Sequence, residues 1–369
     1  MYLVSTLKRT GPTNQLLNLV SRVSANSEVL VVTLSPEEGD SLESDFAEKG
    51  IRIRTLGLSR LVGLFLSGKA LRKIIQDERP DIIHSQGVRS DSLAVKVSSA
   101  TPCLATVRNF PQLDLPMTYG KIKGKLLELA QLKALRKMSI VCGVSNAVTQ
   151  NLIQHYCLGN VSCVLNGVDT DRYYPVTDEI KKQYRERLGL LCVEYQFIST
   201  GYLNSRKNPL ILIEAFKKSF GNRKEVSLVF VGTGELENEC KRLAKGLNIQ
   251  FTGSVSNVPE YLAASDCFLS ASKAEGMPNS ALEAMASGLP VVLSDIPPHK
   301  EIFSLNSGVG MEFRLNEIDG LARKLKDIVQ SNSDTYKVAV KDIIYRELSA
   351  DVMASRYIDI YRKALERKT

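Results

Sequence analysis

The stretch Lys273–Val292 reads KAEGMPNSALEAMASGLPVV. It follows the strand-like run DCFLS and ends in the apolar run LPVV, so a loop and a short helical pattern join two buried strands. The loop KAEGMP carries Glu275. The helix is predicted to start near Asn279 or Ser280, with Pro278 at or just before its first turn. Glu283 then lies one turn in, seven residues separating it from Glu275. Two readings of Glu283 stand side by side. Ser280 and Glu283 spell the S-x-x-E of a capping box, in which the glutamate only ties down its own helix. Alternatively, free N–H groups at Asn279 and Ser280 hold an anion, worth about 0.3–1 kcal/mol and up to ~2 when partly buried. Glu283 would then accept hydrogen bonds from paired sugar hydroxyls.

Outward from this stretch the same rhythm repeats. YLVST, VLVVTL, IRIRTL, DIIHS, CLATV and IVCGVS are strand-like runs separated by amphipathic segments. The pattern pauses at VSCVLNGVDTDRYYP, which reads as a connector. It then resumes with YQFIST, VSLVFVG, IQFTG, DCFLS and LPVVLS. The fold class is therefore α/β, with two Rossmann-like doubly wound domains facing across a cleft. The expected divisions are residues 1–165, a linker over 166–176, a second domain over 177–349 and a tail helix over 350–369. Ligands of such sheets sit beyond the carboxyl ends of strands, and the informative residues do follow strands directly.

At 369 residues the chain exceeds one ordinary core. With 44% hydrophobic and 24% charged residues it has the composition of a soluble globular protein, and no apolar run reaches the ~18 residues of a membrane span. Its start lacks the basic head and cleavage site of a signal peptide. Seven scattered cysteines without C-x-x-C spacing fit reduced, core-packing thiols and a cytoplasmic location. Residues 1–165 hold 20 Lys/Arg against 13 Asp/Glu, whereas the remainder holds 28 against 27. This excess suggests an anionic partner for the first half, a membrane surface or a phosphorylated acceptor. Nucleic acid is disfavoured, because the basic stretches lack interleaved aromatics.

EGMPNSALEAMASGLPVV resembles the signature of glycosyltransferase family 4, retaining nucleotide-sugar enzymes of the GT-B fold. STGYLNSRKNPLILIEAF, VFVGTGELENECKRLA and IQFTGSVSNVPEYLAASDCFLSAS resemble the family's donor domain in the right order. VLNGVDTDRYYP resembles its linker, and PDIIHSQG and GVSNAVTQNL its acceptor-domain landmarks. The resemblance implies that the last helix crosses back to the first domain. It makes Lys207 the diphosphate-binding cation and Glu275 the holder of sugar hydroxyls. Glu283 would hold the ribose, with Gly201, Tyr202, Gly232, Gly276, Met277, Pro278, Asn279 and Ser280 lining the donor. On the acceptor side are Gln86, Arg108 and Asn109, with the loop at Gly11 and Pro12, which would face the acceptor or the donor phosphates unless it is only a tight turn. No cofactor or metal is required, the donor itself (uridine-based by family frequency) being the substrate. The acceptor would be a saccharide or lipid-linked molecule, in polysaccharide or glycolipid assembly.

The sequence departs from that pattern in two places. Tyr202 stands where the family has an arginine, leaving Arg206, beside Lys207, to supply the second positive charge. Arg108 stands where the family often has a histidine, and would bind an acidic acceptor or the diphosphate. Asp169 and Asp171 match D-x-D but lie in the linker, so a metal role is disfavoured. His84 reads as structural. RTLGLSRLVGLFLSGKALRKII and MTYGKIKGKLLELAQLKALRKM read either as core-facing helices with a solvated basic side or as interfacial helices on an anionic membrane. Three rivals remain: a degenerate nucleotide-sugar-binding homologue or partner subunit, a paired-carboxylate glycosidase, and an NAD oxidoreductase, the last disfavoured because Glu237 replaces the third glycine of the fingerprint.

Overall fold

A computed structural model describes residues 1–98, 100–331 and 333–366. The chain divides into two compact units, Met1–Gly167 with Ala350–Thr369, and Val168–Ser349. Val168 therefore begins the second unit, ahead of the linker end expected from sequence.

The first unit is built on seven parallel strands: β1 (Tyr2–Val4), β2 (Leu30–Thr33), β3 (Arg52–Thr55), β4 (Ile83–Gln86), β5 (Cys103–Val107), β6 (Ile140–Gly143) and β7 (Val161–Cys163). Their order is β3-β2-β1-β4-β5-β6-β7. The second unit holds β8 (Tyr195–Thr200), β9 (Val226–Val231), β10 (Ile249–Phe251), β11 (Cys267–Ser270), β12 (Val291–Ser294) and β13 (Gly310–Phe313), in the order β10-β9-β8-β11-β12-β13. Interior strands such as β2, β5 and β9 are buried at every position, whereas the edge strand β3 is largely exposed. A strand covered on both faces loses its alternation and becomes a run of branched apolar residues, which is why the sequence showed them so clearly. Both sheets reverse their order once, between β1 and β4 and between β8 and β11. The loops after those strands line the natural crevice of each unit.

Two strands, β7 and β13, lie outside the apolar runs read from sequence. β7 lies inside the stretch read as a connector, and its residues are only half-buried at a sheet edge. β13, GMEF, is short and interrupted by Glu312, which faces outward.

The helix Ala350–Glu366 completes the first unit. Met353, Tyr357, Ile360 and Ala364 recur at helical spacing and join Leu16, Leu19, Val20 and Val23 of the helix Gly11–Val23 in one apolar cluster. Val352 and Tyr361 of the same helix are half-buried. Beneath the helix runs a hydrogen-bonded chain. The Tyr361 hydroxyl meets the Tyr2 hydroxyl at 2.9 Å and His84 Nδ1 at 2.8 Å. His84 Nε2 meets Thr106 Oγ1 at 2.7 Å, and Thr106 meets the Tyr357 hydroxyl at 2.8 Å. Burial, then the positive field of Arg108 and the chain's amino terminus, brings His84 down to about 3. It is therefore a neutral, structural imidazole. Tyr361→Phe strands the His84 and Tyr2 groups and should cost about 1–3 kcal/mol, read as a lower urea midpoint at unchanged m-value; an unchanged midpoint would remove the network from the account of how this helix is held.

Candidate active site

In the second unit the loops after β8 and β11 meet at Glu275. The Lys207 ammonium lies 2.7 Å from Glu275 Oε1, and Arg206 Nη1 lies 2.9 Å from Oε2. The Ser272 hydroxyl donates to Oε1 at 2.8 Å. Backbone contacts stitch the same loops together: Lys273 N–H donates to the Arg206 carbonyl at 2.8 Å, and Arg206 Nη1 to the Ala274 carbonyl at 2.9 Å. Burial alone would raise the Glu275 carboxyl. The Lys207 and Arg206 charges, with hydrogen bonds from Lys207 and Ser272, outweigh it and hold the group down at about 2. One carboxylate thus faces two cations, and the cluster keeps a positive surplus for an anion.

Glycine shapes the wall beside it. Gly201 and Gly232, at the ends of β8 and β9, have φ of +127° and +137°. A Cβ on Gly232 would collide with the Gly201 carbonyl oxygen, and one on Gly201 would meet Lys207 Cε at 3.5 Å. The backbone here is bare, and the lysine stem lies across it. Lys207 is set by the Asn204 side chain, whose Oδ1 accepts its N–H at 2.9 Å. Tyr202 is 66% exposed and carries no charge to the cluster. The guanidinium that reaches Glu275 is that of Arg206.

The helix Asn279–Ala286 is capped by Pro278 without a side-chain bond, so Ser280 lies inside it. The capping-box reading of Ser280 and Glu283 is therefore corrected: the helix starts two residues too early for Ser280 to be its cap. Gly276, Met277 and Pro278 are buried in the turn leading into this helix, and Asn279 and Ser280 are half-buried in its first turn. Burial raises Glu283 to about 7, against the opposing charges of Arg172 and Lys207 and a hydrogen bond from the Tyr173 hydroxyl. Arg172 and Tyr173 were not singled out from sequence, because they sat in an apparent linker. Arg172 also lines an open cavity of about 270 Å³ with Tyr174, Tyr184, Asn257 and Glu260; none of the residues expected from sequence lines it. His299 was also missed. It is fully buried, its Nδ1 lies 2.9 Å from the Ser294 carbonyl, and Ser294 Oγ donates to the Ser272 carbonyl at 2.7 Å, bracing the Glu275 loop from below. Its pKa is brought down to about 4 by burial.

Within the first unit, Arg108 follows β5 and reaches Gln86, the last residue of β4. Its Nε and Nη2 donate to Gln86 Oε1 at 3.2 and 2.9 Å, and its Nη1 donates to Asn166 Oδ1 at 3.3 Å. Asn109 beside it is exposed. Gly11 and Pro12 open the exposed start of the helix Gly11–Val23. Asp169 Oδ1 accepts the Asp171 N–H at 3.2 Å, an Asx turn that gives one of the D-x-D carboxylates a local role.

Comparison with known proteins gives the same picture for each half. Residues 10–172 match the family model for Glycosyltransferase Family 4, and residues 180–342 match that for Glycosyl transferases group 1. An Escherichia coli UDP-Gal:alpha-D-GlcNAc-diphosphoundecaprenol alpha-1,3-galactosyltransferase is 29% identical over 269 residues, covering 69% of this chain and 68% of the relative. A Staphylococcus aureus capsular polysaccharide biosynthesis glycosyltransferase, CapH, is 26% identical over 82% of each chain. The crystal structure of Anabaena HepE with UDP superposes with a TM-score of 0.82 at 17% identity, over 98% of this chain and 99% of that one. Sucrose-phosphate synthase of Thermosynechococcus elongatus gives 0.82 at 16% identity over 99% of both.

Glu283 makes stability depend on pH. Its folded-state pKa lies above the unfolded value, so the folded chain holds the proton longer. That stabilisation is full below about pH 4.5 and is lost as pH rises through about 7. Wild-type stability should therefore fall by on the order of 2 kcal/mol between about pH 5 and 8 relative to Glu283→Gln, measured by urea unfolding at both pH values. Parallel pH profiles for the two proteins would contradict the assignment.

Proposed function

The chain belongs to the family 4 type of glycosyltransferase with the GT-B fold, and on that premise we propose that it moves a sugar from a nucleoside diphosphate, UDP by preference, to a saccharide or lipid-linked acceptor with retention at the anomeric carbon. The observation that carries this reading is the Glu275 cluster: two cations on one carboxylate, beside bare glycine backbone at the switch point of the second sheet. Breaking the anomeric C–O bond leaves charge on the diphosphate and an oxocarbenium-like sugar. Lys207 and Arg206 stabilise the leaving diphosphate, which is where such catalysis gains most. Glu275, held ionised, accepts from sugar hydroxyls, and Glu283 from the ribose. The acceptor hydroxyl forms the new C–O bond on the face the diphosphate leaves, and its proton passes to the departing phosphate oxygen. The side-chain cations neutralise that charge, so the reading requires no metal.

The first unit takes the acceptor, and the relatives point to polysaccharide or glycolipid assembly. We place it peripherally at the inner face of the membrane. Among the described residues no helix is long and apolar enough to cross a bilayer. The helix Lys121–Leu135 nonetheless exposes Ile122 (83%), Leu126 (63%) and Leu129 (51%) along one stripe, with Lys121, Lys123 and Lys125 in its first turns. The preceding helix Pro111–Tyr119 exposes Met117 (68%). Large apolar side chains ringed by lysines suit the interface of an anionic bilayer.

Incubation with a panel of UDP-sugars in the presence of EDTA should give a thermal shift for at least one donor. Transfer followed by NMR should then show the donor's anomeric configuration preserved; inversion overturns the mechanism. Lys207→Ala and Glu275→Ala should each lower turnover by on the order of 10²–10³-fold, the usual loss when one charge-stabilising group is removed. Donor binding without transfer or hydrolysis would instead favour a degenerate binding homologue, the reading that Tyr202 leaves open. For the membrane, wild type should float with phosphatidylglycerol vesicles and not with phosphatidylcholine alone, while Ile122→Asp with Leu126→Asp should remain unbound at unchanged melting temperature. Equal flotation of both proteins refutes the docking face.

A further inference from the structure

We infer that Arg108 and Gln86 form a binding site for a phosphate-type oxyanion carried by the acceptor, so that the acceptor class is a phosphorylated or diphosphate-linked sugar. The inference rests on the reading of the first unit as the acceptor side.

Two pairs of half-buried cations in this protein each share one carboxylate. Lys207 and Arg206 share Glu275; Lys181 and Arg185 share Asp266 at 2.7 and 2.6 Å. Arg108 differs. Among the described residues no carboxylate lies within ion-pair distance of it, and its side-chain acceptors are two neutral amide oxygens, those of Gln86 and Asn166. A guanidinium has five N–H donors. Three go to those oxygens, and two stay unspent. Beside it, Gln86 Nε2 is a buried donor with no partner. The two neighbouring side chains therefore present donors only, with a full positive charge and no acceptor to match.

A charge partly withdrawn from water and not neutralised costs desolvation free energy, and desolvation does pull the half-buried Arg108 below its ordinary value, the neighbouring Tyr357 opposing. If the residue served only to bridge Gln86 and Asn166, a neutral amide would do so without that cost. Arginine's planar fork suits phosphate and carboxylate, and charge-assisted bonds of this kind are the strong ones. The place fits as well. Gln86 ends β4 and Arg108 follows β5 at the carboxyl edge of the sheet, next to its switch point between β1 and β4, where ligands of doubly wound sheets bind. Burial, and then the same positive field, lowers the pKa of His84, so that imidazole does not share the anion.

The test uses the full chain with saturating UDP, which fills the donor's own phosphate subsite. Inorganic phosphate is then titrated and followed by ³¹P NMR line width. Wild type should still bind phosphate with UDP present. Arg108→Met should weaken that binding about tenfold or more, and Arg108→Lys, which keeps the charge without the fork, should recover part of it. In transfer assays the KM of a sugar 1-phosphate acceptor should rise by a similar factor in Arg108→Met, while the KM of the matching methyl glycoside stays within about twofold. Phosphate binding that disappears once UDP is saturating would assign the anion to the donor and overturn the proposal. So would wild-type kinetics that do not distinguish the phosphate from the methyl glycoside. A chain that does not bind UDP at all fails the transferase reading in the first titration, while the phosphate measurement still judges this site.

Discussion

The second unit depends on one carboxylate. Without Glu275, the Lys207 ammonium and the Arg206 guanidinium would face each other across a desolvated loop with nothing between them. With it, they converge, and the segments after β8 and β11 are locked although about 70 residues part them in sequence. Support runs deeper through Ser272 and Ser294 to His299. Because neutralisation is incomplete, the cluster is stable enough to preorganise and still hungry for negative charge. Such a site need not reorganise as charge develops on a leaving group, which is where preorganised electrostatics are most effective.

The first unit uses the same sheet logic for a different end. Arg9, after β1, is met by Asp40 and Asp45, whereas Arg108, after β5, is held by neutral amide oxygens, and the helix Lys121–Leu135 carries lysines and bare apolar side chains. The charge surplus of residues 1–165 is thus not spread evenly as solubility would need. Part of it sits half-buried at the sheet edge and part on a helix face.

Most of the architecture was legible because interior parallel strands abolish alternation and leave short runs of branched apolar residues between turn glycines. That signal fails at edges. β7 is half-exposed, and β13 contains a glutamate, so neither run was long or apolar enough to register. The loop of Glu275 stands out in the sequence because its glycine, proline and glutamates stand at fixed spacing from a strand. The capping box misplaces the helix start, since a four-residue pattern cannot say which residue is the cap; Pro278 takes that position and Asn279 carries the first helical dihedral. Arg172, Tyr173 and His299 were invisible for a different reason: they act on Glu283 or on the Glu275 loop across tertiary contacts, and nothing local marks them.

The helix Ala350–Glu366 lies last in the sequence order of these elements yet belongs to the first unit. A nascent chain that has emerged through Ser349 therefore holds a complete second sheet, while the first still shows the apolar faces of Leu16, Leu19 and Val20 to solvent or to chaperones. The usual order of synthesis, in which the leading domain finishes first, is inverted. Ribosome-bound intermediates of this protein carry their sticky surface on the older part of the polypeptide, and that surface is closed only when the returning segment arrives.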